Sequence, residues 1–426
     1  RKARVDFVFK KDFLTINSPS IDEQQWIEVL DFKNRGRTEN VGLAIDAFGP
    51  PIRKMDTFIS GLVRQLNRLG FHTISSCDGH GSRRAHLHLS KDSDKDKLID
   101  LLLNVFNQGI HVVESKLGYR LDFTVERTKL LDLAERLSVI NKKWLGSDLR
   151  YLKKHLFYHT LEEVLSIPGS SGHEQHIRQF VKEKLTPYVD HIMTDRYGNL
   201  LAEKTYKTGN GPTILLNAHL DVVYELEPDR EIIKELGRWR SSKGILGADD
   251  RAGVAVILQM AKNLLNSDFS GKVKYIFTVE EETGLVGARH VDEHFLWDVD
   301  AAFVLDRRGI GDIVTSYAEM IPFCDVRFGK FIEHIAKESG HANWKCTSGG
   351  SSDTRIWAEH GIQSVNLSVG YFNEHTDEEY LNAFVCFSVT ELLEAIFAKS
   401  RELRRLVRRI RRSQHISSYT NERRHA

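Results

Sequence analysis

The residues most able to do chemistry are carboxylates and imidazoles placed just after apolar runs. Residues 213–218 lead into His219-Leu220-Asp221, residues 273–279 into Glu280-Glu281-Glu282, and residues 301–305 into Asp306. Residues 364–369 are followed, after Gly370, by His375, and Asp249-Asp250 lies in a Gly-bounded segment, 247–253, that opens a helical pattern. A lone His-x-Asp or Glu-Glu pair is ordinary surface chemistry. Five such groups in register with strand ends mark a site. Gathered in one crevice, Asp221, Asp249, Glu281, Glu282 and Asp306 would repel one another until several took up protons. Two divalent cations remove that conflict. Imidazole and carboxylate donors suit zinc, and also cobalt or manganese. Ions about 3.5–4 Å apart can bind a bridging water, acidify it and polarise a scissile carbonyl. One carboxylate must then stay off the metals to take the water's proton.

Such residues need a scaffold that collects strand ends. From about residue 158, apolar runs alternate with helical patterns such as 252–265 and 384–397. That alternation predicts an α/β fold with a doubly wound, mostly parallel sheet, in which ligands sit at the carboxyl ends of strands. Residues 1–145 read instead as a small α+β unit. It has a strand over 41–48 and a helix in which Met55, Phe58, Ile59, Leu62, Val63, Leu66 and Leu69 recur at helical spacing before Gly70. Strands over 72–77 and 85–89 flank a Gly-rich turn, a second helix starts near Asp92, and an extended stretch covers 111–125. Charged helical sequence over 126–156 is the expected connector. The expected organisation is an N-terminal unit of unknown role (1–145), a chemistry-bearing unit (150–400) and a basic tail (401–426).

The 426 residues are 41% hydrophobic and 28% charged, an ordinary globular mixture. Cys77, Cys324, Cys346 and Cys386 form no Cys-x-x-Cys pair, which excludes a disulfide scaffold or a zinc ribbon. No apolar run reaches the roughly 20 residues of a membrane span, and Arg1-Lys2-Ala3-Arg4 carries no signal-peptide core. The expected location is the cytoplasm. The net charge of +1 hides ten Lys/Arg against two Glu over 399–426. A solvated, fraying helix end is expected there ahead of a nucleic-acid grip.

Together the site groups resemble the di-zinc exopeptidase superfamily (clan MH) that holds peptidase T, the glutamyl and tetrahedral aminopeptidases and the carboxypeptidase-like amidohydrolases. The resemblance covers about 155–400. It begins with Ile167-Pro168-Gly169-Ser170-Ser171-Gly172-His173-Glu174 and Asp195-Arg196-Tyr197-Gly198-Asn199-Leu200, and ends with Gly349-Gly350-Ser351-Ser352-Asp353 and Asn373-Glu374-His375-Thr376. It implies His219, Glu282, Asp306 and His375 as terminal metal ligands and Asp249 as the bridge, with a cis bond to Asp250. It also implies Asp221 as the residue that orients His219, and Glu281 as general base. The Glu280–Glu282 triplet leaves the register open by one, and Thr283-Gly284 favours Glu281 and Glu282. The implied cofactors are two divalent ions, zinc with cobalt or manganese as alternatives.

The chain also departs from its lidded relatives. Only 43 residues separate Asp306 from Gly349, and only 30 separate His219 from Asp249, so the unit is expected to be lidless. Tyr371 is then the candidate substitute for an oxyanion donor, and Gly349 and Gly350 the candidate substrate wall, with Ser352 or Asp353 capping the helix that follows. Ser348 stands where peptidase T has an Arg suited to a terminal carboxylate, with Lys345 nearby but without the guanidinium fork. The expected activity is that of an aminopeptidase on short peptides, using a metal-bridging water with Glu281 as base. An N-acyl amino acid amidohydrolase is the alternative, and a non-enzymatic binding protein the more distant one. The expected partners are a short peptide or N-acyl amino acid, with no membrane or nucleic acid, and homo-oligomerisation is left open. In the N-terminal unit, His72, Cys77, His80, His86 and His88 crowd into 17 residues. That density suits a second metal or ligand site, although His86 and His88 share one strand face and the turn needs no metal.

Overall fold

The computed structural model describes residues 6–10, 13–17, 56–106, 109–115, 118–146 and 148–422. The expected strand over 41–48 and Met55 lie outside them. The chain divides into two compact units, 1–153 and 154–426.

In the first unit, β1 (Phe7–Lys10) and β2 (Phe13–Ile16) pair as a hairpin. Helix α1 (Thr57–Leu69) buries Phe58, Ile59, Leu62, Val63, Leu66 and Leu69 and stops at Gly70 in the left-handed region, φ 101°. Strands β3 (Thr73–Cys77) and β4 (Ala85–Ser90), helix α2 (Lys95–Val105) and strands β5 (Ile110–Ser115) and β6 (Gly118–Phe123) follow. The four strands form an antiparallel sheet in the order β3-β4-β6-β5. On β4 the buried Ala85, Leu87 and Leu89 alternate with His86 and His88, the period-2 pattern of a one-sided sheet. The stretch expected to be extended over 111–125 is instead two paired strands. Gly118 lets β6 approach the end of β4, because a Cβ there would stand 2.0 Å from the Leu89 carbonyl oxygen. The connector is also broken, into α3 (Lys129–Ser138), a 3-10 turn (Lys142–Gly146) and α4 (Leu149–Leu165).

The second unit continues with α5 (Gln175–Leu185), β7 (His191–Thr194), β8 (Leu200–Tyr206), β9 (Thr213–His219), β10 (Ile232–Glu235), β11 (Arg238–Ser241) and α6 (Ala248–Asn263). Strand β12 (Gly271–Thr278), the four-residue helices α7 (Val286–Arg289) and α8 (Glu293–Leu296), β13 (Ala301–Arg307), β14 (Asp312–Tyr317) and β15 (Ile321–Pro322) come next. The chain closes with α9 (Val326–Glu338), β16 (Lys345–Gly349), α10 (Asp353–Glu359), β17 (Gln363–Ser368), β18 (Tyr371–Phe372), β19 (Tyr380–Asn382), α11 (Ala383–Ala398) and α12 (Ser400–Glu422).

The main sheet runs β15-β14-β17-β13-β9-β12-β8-β7, with β16 added beside β14. Its centre, β17-β13-β9-β12, is parallel, and antiparallel strands flank it. Alternate residues feed two cores. Ile214, Leu216, Ala218, Phe303 and Leu305 pack beneath α4, α5, α6 and α11. Leu215, Ala302, Val304 and Ile276 pack against Leu285, Ala288, Leu296 and Trp357 on the other face. Helices on both faces are what a parallel sheet requires. Strands β10, β11, β19 and β18 make a separate antiparallel sheet in the order β10-β11-β19-β18.

The tail differs from expectation. Helix α12 is no frayed appendage at its start, because Leu403, Val407 and Ile410 are buried in the core of the second unit. Arg411 pairs with Asp300 at 3.0 Å. The spacing 403, 407, 410 is one helical stripe, hidden in the sequence by the arginines around it. Val407→Asp should therefore destabilise the protein by several kcal/mol, the cost of an unpaired buried charge. Arg408→Asp, on the exposed side, should stay within about 0.5 kcal/mol. Urea unfolding of both variants reads the difference, and equal stabilities would contradict the packing.

Candidate metal centre

Parallel strands β13, β9 and β12 lie side by side, so their carboxyl ends deliver His219, the Glu280–Glu282 loop and Asp306 to one place. Helix α6 brings Asp249 to the same spot. It can approach because Gly253 has no side chain, and a Cβ there would stand 2.1 Å from the Leu305 carbonyl oxygen. His375 arrives from the loop between β18 and β19, held at φ 65°. A left-handed backbone at a non-glycine residue is a conformation that surrounding structure must hold in place.

The donor atoms form two triads that share Asp249. His219 Nε2 lies 3.2 Å from Asp249 Oδ1 and 3.6 Å from Asp306 Oδ1. His375 Nε2 lies 3.2 Å from Asp249 Oδ2 and 2.8 Å from Glu282 Oε1. Each oxygen of one carboxylate thus faces a different imidazole. All five residues expected as ligands are brought together in this way. The Asp249–Asp250 peptide is cis.

Asp221 is fully buried and ties the parts together. Its Oδ1 lies 3.3 Å from His219 Nδ1 and accepts the Glu281 N–H at 3.0 Å. Its Oδ2 accepts Ser171 Oγ–H at 2.8 Å and the Glu282 N–H at 3.1 Å. Burial raises its pKa, yet the bonds from His219 and Ser171 outweigh this and leave it below the ordinary carboxylate range. A carboxylate on the far nitrogen of a histidine fixes the tautomer that leaves Nε2 free to ligate.

The electrostatics call for cations. Burial pushes Asp306 up to about 7, with the Asp249 charge adding to it against the bond from His219. Burial likewise holds Glu281 well above the ordinary range, opposed by His219 and reinforced by Asp306, Asp353 and Asp249. Hydrogen bonds to Asp249 and Glu282 raise His375 to about 10. Protons here stand where dications would sit. The donor set of imidazoles and carboxylates fits two such ions, and Glu281 is the carboxylate outside both triads.

Several supporting groups were not legible in the sequence. Glu379, 1% exposed, accepts the N–H groups of Gly247, Ala248 and Asp249 and so holds the start of α6. It is one of three successive acids, Asp377 to Glu379, and nothing local marks which one turns inward. Asp250 accepts the His219 and Gly253 N–H groups. Glu174 accepts the N–H groups of Gly172 and Glu280. Tyr371 is buried and donates its hydroxyl to Asp306 Oδ1 at 3.1 Å. One expectation needs correction. Neither Ser352 nor Asp353 caps α10. No side-chain bond closes its start, and Asp353 Oδ2 instead accepts from Thr278 and Asn217 inside the core. Gly349 has a packing reason to be glycine, since a Cβ would meet Val314 Cγ1 at 2.6 Å, whereas Gly350 is open on all sides.

The sequence model of Peptidase family M28 matches residues 199–389, the segment that carries every residue of both triads. Residues 199–389, within the second unit, belong to peptidase family M28. The chain is 26% identical over 248 residues to the cytosol non-specific dipeptidase of Escherichia coli, a match covering 54% of this chain and 50% of that one. It is 31% identical over 133 residues to peptidase T of Clostridium botulinum, covering 30% and 32%. The chain spans about half the length, or less, of these curated relatives. Among solved structures, the aminopeptidase PepT of Bacillus cereus superposes with a TM-score of 0.53 at 19% identity, over 58% of this chain and 98% of that one. A tripeptidase of Staphylococcus aureus gives 0.51 at 18%, over 58% and 99%. These likenesses carry the fold. Among the described residues no helix is long and apolar enough to cross a membrane.

Two outcomes are expected. Asp249→Ala should cost the M28 unit both ions, while Asp221→Asn should weaken metal binding about 10- to 100-fold, the usual effect of losing a group that orients a ligand. Elemental analysis and chelator competition measure both. The second outcome concerns the metal-free protein. The His375 contribution to stability is full below its ordinary pKa of 6.5 and is lost as pH rises through about 10. That of Asp306 is full below 3.8 and is lost as pH rises through about 7. Asp249, held below its ordinary range, already contributes fully above 3.8. The unfolding midpoint of metal-free protein should therefore fall between about pH 6 and 9, and saturating zinc should flatten that fall by replacing the protons. Parallel melting curves with and without zinc would refute the exchange.

Proposed function

We propose that the M28 unit is a co-catalytic di-metal exopeptidase, and that it acts as an aminopeptidase on short peptides. The observation that carries this reading is the pair of donor triads on opposite oxygens of Asp249, with the half-buried Glu281 outside both. The residues proposed as ligands are His219, Asp306, Asp249, Glu282 and His375, and zinc is the proposed metal because the donors are imidazole and carboxylate. Two ions bound there would supply Lewis acidity, to acidify a water and polarise the scissile carbonyl.

The chain's own groups do the rest. Glu281 takes the proton of the attacking water and later delivers it to the leaving amine. Its raised affinity for a proton suits that exchange, since a base must also be able to act as the acid that follows. Asp221 holds the Glu281 and Glu282 backbone and the His219 ring in one rigid piece. Tyr371 fixes Asp306, and Glu379 fixes Asp249. The groups near the position of a carboxylate clamp are otherwise engaged. Lys345 pairs with Glu333 at 3.1 Å, and Ser348 Oγ accepts the Glu319 N–H at 2.8 Å. With both of those groups engaged, recognition at the amino end is favoured over a clamp on the substrate's carboxyl terminus.

Glu281→Gln should keep both metals and lower turnover by about two to four orders of magnitude, the usual scale of general acid–base catalysis. Glu282→Gln should lose metal together with activity. Metal content and rates on matched aminoacyl-peptide and N-acyl amino acid substrates test both parts. Exchanged phenotypes would place the base one residue away. Turnover confined to the N-acyl compounds would replace the aminopeptidase reading with an amidohydrolase.

A further inference from the structure

Of the crowded N-terminal residues, only Cys77 and His80 converge, and the structure adds an acid from far away in sequence. His80 Nε2 lies 3.7 Å from Cys77 Sγ and 3.6 Å from Asp56 Oδ2. The three donor atoms all fall within 4.8 Å of one another. The remaining histidines turn elsewhere. His88 Nδ1 contacts Ser75 Oγ at 3.0 Å and His86 Nδ1 the Arg84 carbonyl at 3.3 Å, while His72 is exposed.

We propose that Asp56, Cys77 and His80 form a mononuclear zinc site in the N-terminal unit, separate from the di-metal centre. Tetrahedral zinc with sulfur at about 2.3 Å and nitrogen or oxygen at about 2.0–2.1 Å sets its donors roughly 3.3–3.6 Å apart. The two separations at His80 lie within about 0.3 Å of that range. Three protein donors leave a fourth position for water, and His80, 36% exposed at its side chain, leaves that side open to solvent.

The surroundings match the needs of each ligand. Asp78 Oδ1 lies 3.4 Å from His80 Nδ1, which directs the imidazole proton to Nδ1 and the lone pair at Nε2 towards the metal. The Gly79 N–H points at Cys77 Sγ from 3.4 Å, a bond that favours the thiolate, although burial and the charges of Asp56 and Asp78 hold the thiol above its ordinary value until a cation offsets them. Asp56 Oδ2 accepts the Asp78 N–H at 3.2 Å, which anchors the acid before α1 to the turn after β3. Charge argues the same way. Asp56 and Asp78 are 8% and 4% exposed, and among the described residues their only ion-pair partner is the exposed His80. A dication bound by one thiolate and one carboxylate leaves a neutral core, with the thiol proton released to solvent.

Cobalt loading of the full chain tests this without reference to catalysis, because the di-metal centre contains no sulfur donor. Cobalt should produce a thiolate-to-metal charge-transfer absorption in the near ultraviolet, and zinc should abolish it. Cys77→Ser should remove the band. His80→Ala, at an exposed side chain, should bind the third ion at least tenfold more weakly. Asp249→Ala, which disables the di-metal centre, should keep the band. Absence of the band at saturating cobalt, its survival in Cys77→Ser, or an unchanged affinity for the third zinc ion in His80→Ala would each overturn the site. Loss of the di-metal centre alone would leave it standing.

Discussion

Mutual repulsion among buried carboxylates governs the second unit. Asp221, Asp249, Asp250, Asp306, Glu281 and Asp353 are drawn into one low-dielectric region, where each charge raises the cost of the next. Without compensation they would hold protons or push the strand ends apart. Asp249 resolves the conflict by facing His219 with one oxygen and His375 with the other. That division creates two positive positions, and the rest of the site is arranged around them.

The supporting structure keeps those positions fixed. Backbone N–H groups do most of this work. Asp221 gathers those of Glu281 and Glu282, Glu379 gathers three at the start of α6, and Asp250 gathers those of His219 and Gly253. Each buried acid is thereby satisfied and simultaneously pins a loop that carries a donor. The two cores on the faces of the sheet hold the strands rigid beneath. A small shift in β9 or β13 would displace a donor by a comparable amount, and ligand geometry tolerates little.

The N-terminal unit uses the same logic with different donors. A thiol, an imidazole and two acids converge on a turn between antiparallel strands, far less buried than the di-metal centre. A sulfur donor there, and none among the proposed di-metal ligands, sets the two proposed sites apart. A thiolate favours zinc over harder ions such as manganese, whereas imidazole and carboxylate donors accept either.

The sequence alone determined the parallel sheet, the strand ends and the five residues proposed as ligands. Apolar runs of strand length, each followed at once by His, Asp or Glu, are local features, and the parallel fold turns them into neighbours. It could not reveal Glu379, Asp250 or Asp56, whose roles depend on which way one acid among several turns and on backbone N–H groups distant in the chain. It likewise misplaced the start of α10 and could not show the bond from Tyr371 to Asp306, since a side chain's partner is chosen by what the fold brings within about 3 Å. In α12 the buried stripe of Leu403, Val407 and Ile410 is masked by the dense arginines between them. Periodicity shows that a face exists, and only tertiary packing decides whether something covers it.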